Sequence, residues 1–194
     1  MEFRILGPLV VLGDDGPLKL GGPKQHAVLA HLIIRANRVV PAGLLIDELW
    51  GDEPPETARN TLQTYVYRLR KVLGDGRMEA GSGGYLLYAE PNEIDAGRFE
   101  ALVREAKGSM LSDPRAALAA LDESLALWRG DALADLSEEP SLRGEIARLE
   151  ELRLAATEHR IATELAMGSH TTVVSELEVL TRPVTRSASV CGRA

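Results

Sequence analysis

The sequence predicts an α+β N-terminal half followed by an all-α C-terminal half, and three observations point to this. A strand-and-turn layer, residues 2–20, precedes any helical pattern. Three helical segments then fill residues 23–74 and run directly into a short hairpin built on glycines. Beyond residue 93 apolar residues recur at helical spacing, and no further strand stands out.

Taken in order, Glu2–Leu12 reads as a strand interrupted at Gly7-Pro8. The turn Gly13-Asp14-Asp15-Gly16 and the short return Pro17–Leu20 complete a hairpin. Gly21-Gly22 breaks the chain, and Pro23 suits the first turn of a helix, which continues over Lys24–Ala36 with Val28, Leu29, Leu32 and Ile33 inward. Gly22-Pro23-Lys24 does not complete a phosphate-loop pattern. Asn37–Pro41 is an extended link. Pro41–Trp50 is a second helix, buried through Leu44, Leu45, Leu49 and Trp50.

The organising stretch is the third helix, Pro55–Gly74. Ala58, Leu62, Tyr65, Val66, Leu69, Val72 and Leu73 line one side, and Asn60, Gln63, Thr64, Tyr67 and Lys71 the other, with Arg59, Arg68 and Arg70 at the flanks. Four cations and no acid fall between Thr57 and Gly74. Amide, hydroxyl and guanidinium groups on one helix face suit base edges and phosphates in a major groove. A solvated basic face is the plainer alternative, and the following hairpin weighs against it. Met78–Ala80 and Tyr85–Tyr88 flank Gly81-Ser82-Gly83-Gly84, which reads as a wing lying on the nucleic-acid backbone. Two helices, a recognition helix and a wing make a winged helix-turn-helix.

Charge supports this reading once it is divided. The net charge of −7 looks unfavourable for nucleic acid. Residues 1–92, however, hold ten Lys and Arg against eleven Asp and Glu, whereas residues 93–194 hold twelve against eighteen. A local basic helix outweighs the total. Expected contacts to base edges are Asn60, Gln63, Thr64 and Tyr67. Arg68 and Lys71 are expected to reach phosphates, with Arg70 a weaker candidate nearer the apolar side. Lys24 is a further phosphate candidate at a helix N-terminus, and Gly83 and Gly84 bring the wing to the backbone.

FRILGPLVV, LGGPKQ, LLIDELWGDEPPETARNTLQTYVYRLRKVLG and GGYLL resemble the N-terminal DNA-binding domain of the Streptomyces antibiotic regulatory protein family. That domain is of the OmpR type, a winged helix with a leading strand layer. The resemblance covers Glu2–Tyr88, and no receiver domain is expected ahead of Glu2. LALWRGDALADL and ARLEELRLAATEHRI resemble the bacterial transcriptional activator domain of the same family, over Ile94–Leu180. The expected domains are therefore 1–92, winged helix-turn-helix; 93–180, a partial activator domain of tetratricopeptide-like helix pairs; and 181–194, a disordered tail.

In the second half, helices are predicted over Asp95–Met110, Arg115–Trp128 (capped by Ser112-Asp113-Pro114) and Pro140–Met167, with one more over Thr171–Thr181. Ile146, Leu149, Leu152, Leu154, Ala156 and Ile161 are apolar positions of the long helix. The resemblance implies binding of double-stranded DNA at promoter direct repeats, contact with RNA polymerase holoenzyme, and self-association on tandem sites. It also implies activation of an antibiotic biosynthetic cluster. The alternatives are a shortened, activation-deficient competitor for promoters, and a helical interaction module on a structural winged helix.

Other chemistry finds little support. His26 and His31 lie too far round the wheel to share a metal, His159 and His170 are isolated, and Cys191 is a lone cysteine. No nucleophile setting or paired-acid site appears, so neither an enzyme nor a cofactor is expected. No stretch is long and apolar enough to span a membrane, and no signal peptide is apparent, so a cytoplasmic, nucleoid-associated protein is expected.

Overall fold

The structure is a computed structural model that describes residues 1–81 and 83–168. The expected helix over Thr171–Thr181, the tail 181–194, His170 and Cys191 lie outside the described residues.

The leading layer differs from a single interrupted strand. β1 (Glu2–Arg4), β2 (Val10–Gly13) and β3 (Gly16–Pro17) form an antiparallel sheet in that order, with Phe3 opposite Val11 and Gly13 opposite Gly16. The chain folds back between Arg4 and Val10 because Gly7, at φ +143°, and Pro8 cannot continue a ladder. The segment between the two strands is not a surface loop, since Ile5, Leu6 and Leu9 are buried.

α1 (Pro23–Ile34), α2 (Ala42–Trp50) and α3 (Ala58–Leu73) follow as the sequence predicts. Proline opens α1, and Gly74, at φ +87°, closes α3. Leu44, expected in the core, is exposed, and Trp50 is half-buried against it. β4 (Val40–Pro41), β5 (Met78–Gly81) and β6 (Gly84–Leu87) form a second antiparallel sheet in the order β4-β6-β5. The wing is thus anchored by a strand lying between α1 and α2, a partner the extended link did not advertise.

The second half is helical. α4 (Asp95–Ser109), α5 (Pro114–Ala126) and α6 (Arg143–Ala166) stack with α5 against both others. Asp113 caps α5 by accepting from the Ala116 amide. The first turn of the predicted long helix is instead a separate 3-10 turn, Pro140–Leu142, and Leu154 lies exposed on α6. Phe99 meets Trp128 edge-on with ring centroids 5.4 Å apart, and the Arg153 guanidinium lies over the Trp128 ring.

The two halves share one apolar core, which runs from Phe3 through α1 and α3 to Phe99, Leu121 and Leu149. Backbone groups of the buried 5–9 segment are satisfied from the second half. Asp95 accepts from the Ile5 and Leu6 amides at 2.8 and 3.0 Å, and Asp135 accepts from Leu9 at 2.7 Å. In return the Arg129 and Leu133 amides donate to the carbonyls of Leu6 and Ile5. Burial pushes the Asp95 carboxyl up, while the three amides it accepts from (Ala96 included) and Arg129 oppose that shift.

The histidines considered for metal binding are seam residues. His26 Nδ1 lies 3.0 Å from Asp135. His31, 1% exposed, has Nε2 3.0 Å from the Ser141 hydroxyl, and its Nδ1 accepts from Arg35. Loss of water and the adjacent Arg35 charge hold His31 down to about 4. Glu48 faces the same ring with Oε2 3.0 Å from Nδ1, its own carboxyl pushed up by burial.

Asp95→Ala strips the acceptor from three buried amides and should cost about 2–5 kcal/mol in urea denaturation. For His31, the unfolded chain takes up a proton below its ordinary 6.5 and the folded chain only near 4. Stability present above pH 6.5 is therefore lost as pH falls toward 4. His31 contributes at most about 3 kcal/mol of that loss, and Glu48 partly offsets it because its shift has the opposite sign. His31→Gln should flatten the difference between denaturation midpoints at pH 7 and pH 5.

Candidate nucleic-acid interface

α3 presents its apolar stripe, Ala58, Leu62, Val66, Leu69 and Leu73, to the core. Asn60, Gln63, Thr64, Tyr67, Arg68, Arg70 and Lys71 are all exposed, as is Arg59. Tyr67, an aromatic residue, is 67% exposed, which solvation alone does not favour. Several cations elsewhere hold the fold together. Arg35, Arg77, Arg98 and Arg148 are each held by carboxylates. Arg59, Arg68, Arg70 and Lys71 have no ion-pair partner among the described residues. Unpaired guanidinium and ammonium groups along one face leave a positive strip open to an external anion.

A groove of about 340 Å³ separates α3 from the wing. On the helix side it is lined by Arg59, Gln63, Tyr67 and Arg70, and on the wing side by Gly81, Gly83, Gly84 and Tyr85. At 100° per residue those four helix positions fall within about 80° of arc, so one stripe faces the wing. Asn60, Thr64, Arg68 and Lys71 are exposed outside this groove. The Thr64 hydroxyl donates to the Asn60 carbonyl at 2.9 Å, which leaves its lone pairs for an incoming donor. Burial pushes the Tyr85 phenol up, and the nearby Arg59 charge opposes that shift.

Three of the expected residues stand in surroundings the sequence did not reveal. The Lys24 ammonium already has partners: it donates to the Leu49 carbonyl at 2.6 Å, at the end of α2, and lies 3.6 Å from Glu139 of the second half. Arg70, ranked low because it borders the apolar side of the wheel, points into the groove, and Arg59 joins it there. Their spacing with Gln63 and Tyr67 was visible in the sequence, but the side on which the wing sits was not. Gly84 is buried and structural, because a Cβ there would lie 2.5 Å from the Val40 carbonyl oxygen. Gly83, exposed at φ +101°, lies at the wing surface together with Gly81.

This contrast is measurable. Gly84→Ala should weaken β4–β6 pairing and lower the thermal midpoint by several degrees. Gly81→Ala, with open space around its Cβ, should leave the midpoint nearly unchanged.

Comparison with known proteins places both halves. Residues 17–82 match the family model "Transcriptional regulatory protein, C terminal", and residues 94–184 match "Bacterial transcriptional activator domain". The chain is 38% identical to the regulatory protein AfsR of Streptomyces griseus, over 93% of this chain and 19% of AfsR. It is 37% identical to the regulatory protein DnrI of Streptomyces peucetius, over 93% of this chain and 71% of DnrI. The transcriptional regulator RedD of Streptomyces coelicolor is 35% identical, over 93% of this chain and 54% of RedD. Among solved structures, Mycobacterium tuberculosis EmbR, in complex with a low-affinity phosphopeptide, superposes with a TM-score of 0.88 at 35% identity. That match covers 93% of this chain and 49% of the EmbR chain. The chain thus spans about a fifth of AfsR, half of EmbR and RedD, and most of DnrI. With a basic helix beside a glycine wing, a helical activator-type half packed behind it, and this identity across both, the chain belongs to the Streptomyces antibiotic regulatory protein family of transcriptional regulators.

Proposed function

We propose that this chain is a non-catalytic, sequence-specific regulator that docks α3 in the major groove of promoter DNA and lays the wing on the adjacent backbone. The observation that supports the reading is the strip of unpaired cations and amides on α3, part of which faces a wing that has no cation of its own between Met78 and Leu87. Because the wing contributes only backbone and small residues at its tip, the helix supplies the charge. Arg59 and Arg70 sit where they can reach phosphates flanking the wing, and Gln63 and Tyr67 lie between them. Asn60 and Thr64 extend the base-reading face, with Arg68 and Lys71 reaching phosphates on its far side.

In this reading residues 1–92 bind DNA, and residues 93–180 form the activator half, through which RNA polymerase is engaged. Family membership supports binding at promoter direct repeats, with protomers side by side, and activation of an antibiotic biosynthetic cluster. A cytoplasmic, nucleoid-associated location accords with this. Among the described residues no helix is long and apolar enough to cross a membrane.

The test is a salt titration of binding to a duplex carrying spaced direct repeats and to a scrambled duplex of equal length. A preference of about a thousandfold with a steep negative salt slope is expected. Lys71→Ala should weaken both duplexes alike and reduce the slope by about one. Gln63→Ala should relax preference at one base pair, by about 1–3 kcal/mol. Equal losses on both duplexes for Gln63→Ala would remove it from base reading.

A further inference from the structure

The two phenols of the wing region differ in what holds them. Tyr88 is exposed and donates its hydroxyl to Glu79 at 3.0 Å. Tyr85 is 8% exposed, and its hydroxyl has no hydrogen-bond partner among the described residues. A phenol buried to that degree ordinarily has one. Tyr85 sits on β6, the central strand of its sheet, opposite Val40 of β4 and Ala80 of β5. Leu87, two residues further on and on the same face, is fully buried, so the Tyr85 ring leaves the sheet on its core side. Tyr85 also lines the groove between α3 and the wing, beside Ala80, Gly81 and Gly83, which have little or no side chain to cover it.

The groove is rich in donors, and among the described residues no Asp or Glu lines it. Arg59 and Arg70 face it without an ion-pair partner among those residues. Arg59 is near enough that its charge opposes the upward shift burial gives the Tyr85 phenol. Guanidinium groups only donate, so neither arginine can accept the phenolic proton. What the three groups lack is an acceptor, and an oxyanion is one that suits them all. With about 340 Å³ open between helix and hairpin, a phosphate has room there. The buried phenol is what distinguishes this groove from a merely basic surface.

We propose that the Tyr85 hydroxyl, together with the Arg59 and Arg70 guanidiniums, holds one backbone phosphate of duplex DNA in the groove between α3 and the wing. The assignment rests on the reading of α3 and the wing as a DNA interface, and it gives the wing a side-chain contact of its own. The phenol is neutral, so it adds affinity without the counterion release that an arginine brings. Because strands flank Tyr85 on both sides, the phosphate it holds fixes how closely the wing approaches the duplex.

The experiment compares the full chain with its Tyr85→Phe variant, which keeps the buried ring and removes only the hydroxyl. Each is titrated with the direct-repeat and scrambled duplexes over a range of salt. The variant should bind both duplexes about tenfold more weakly, with an unchanged salt slope and thermal midpoint. A single methylphosphonate, moved along the repeat duplex, should find one position that weakens the unaltered chain and weakens the variant less. Undiminished binding by the variant overturns the proposal. So does a loss confined to the repeat duplex, which would make Tyr85 a base reader. If the unaltered chain binds neither duplex, the DNA reading itself falls, and pyrophosphate decides the groove. Shifts of the Arg59 and Arg70 Nε–H NMR signals that Tyr85→Phe suppresses would then support the oxyanion site and overturn the DNA backbone as its source. Absence of those shifts would overturn the site as well.

Discussion

The Asp95 carboxylate is the interaction on which the relation of the two halves depends. It sits at the first turn of α4, 1% exposed, and accepts both amides of Ile5-Leu6. Those residues cannot pair in a sheet, because the chain turns at Gly7-Pro8 immediately afterwards. Without an acceptor from elsewhere, Ile5 and Leu6 would bring naked amides into the core, at a cost of about 1–3 kcal/mol each. Asp135 does the same for Leu9, and Arg129 and Leu133 close the pattern from the other direction. The leading sheet is therefore part of the seam, and it gives the winged helix a defined seat on the helical half.

The seam continues through α1. His26 meets Asp135, Lys24 meets Glu139 and His31 meets Ser141, all three partners lying in the segment that links α5 to α6. Polar groups here do the joining while Leu29, Leu32 and Leu142 supply the burial. Such contacts fix orientation more than they add stability, because each charge gives up water to make them. The buried, neutral His31 fits that role: it holds Ser141 through Nε2 without placing a charge in the core.

How much of this was legible in the sequence depended on whether the cause was local. The three N-terminal helices and α4 to α6 appear where apolar spacing, Pro23, Asp113 and Gly74 place them, because these signals act within a turn of the residue concerned. The exposed face of α3 was legible for the same reason. What escaped was set by distant partners. Glu2–Leu12 reads as one strand until Asp95, some ninety residues away, is seen to take its amides. Lys24 reads as free until Glu139 arrives, and Arg70 reads as peripheral until the wing defines which side of α3 is the groove. Gly84 reads as a turn glycine until Val40 is seen against it.

Charge pairs mark the cations that hold the fold. Carboxylates outnumber cations, so a cation left alone on the surface is not explained by a shortage of partners. Arg77, just before β5, is held by Glu93, and Arg98 of α4 is held by Glu2 of β1, so both pairs serve the seam. The cations of α3 are left open on the face of the molecule that carries the wing. Since the wing brings no cation of its own, moving the cations of α3 into carboxylate pairs would remove the open positive strip beside it, however well the fold were kept. The same logic separates α3 from α1, whose Lys24 has the right residue type and helix position for a phosphate but is already spent on Leu49 and Glu139. Position on a helix suggests a ligand contact, and the side chain's own partners compete with it.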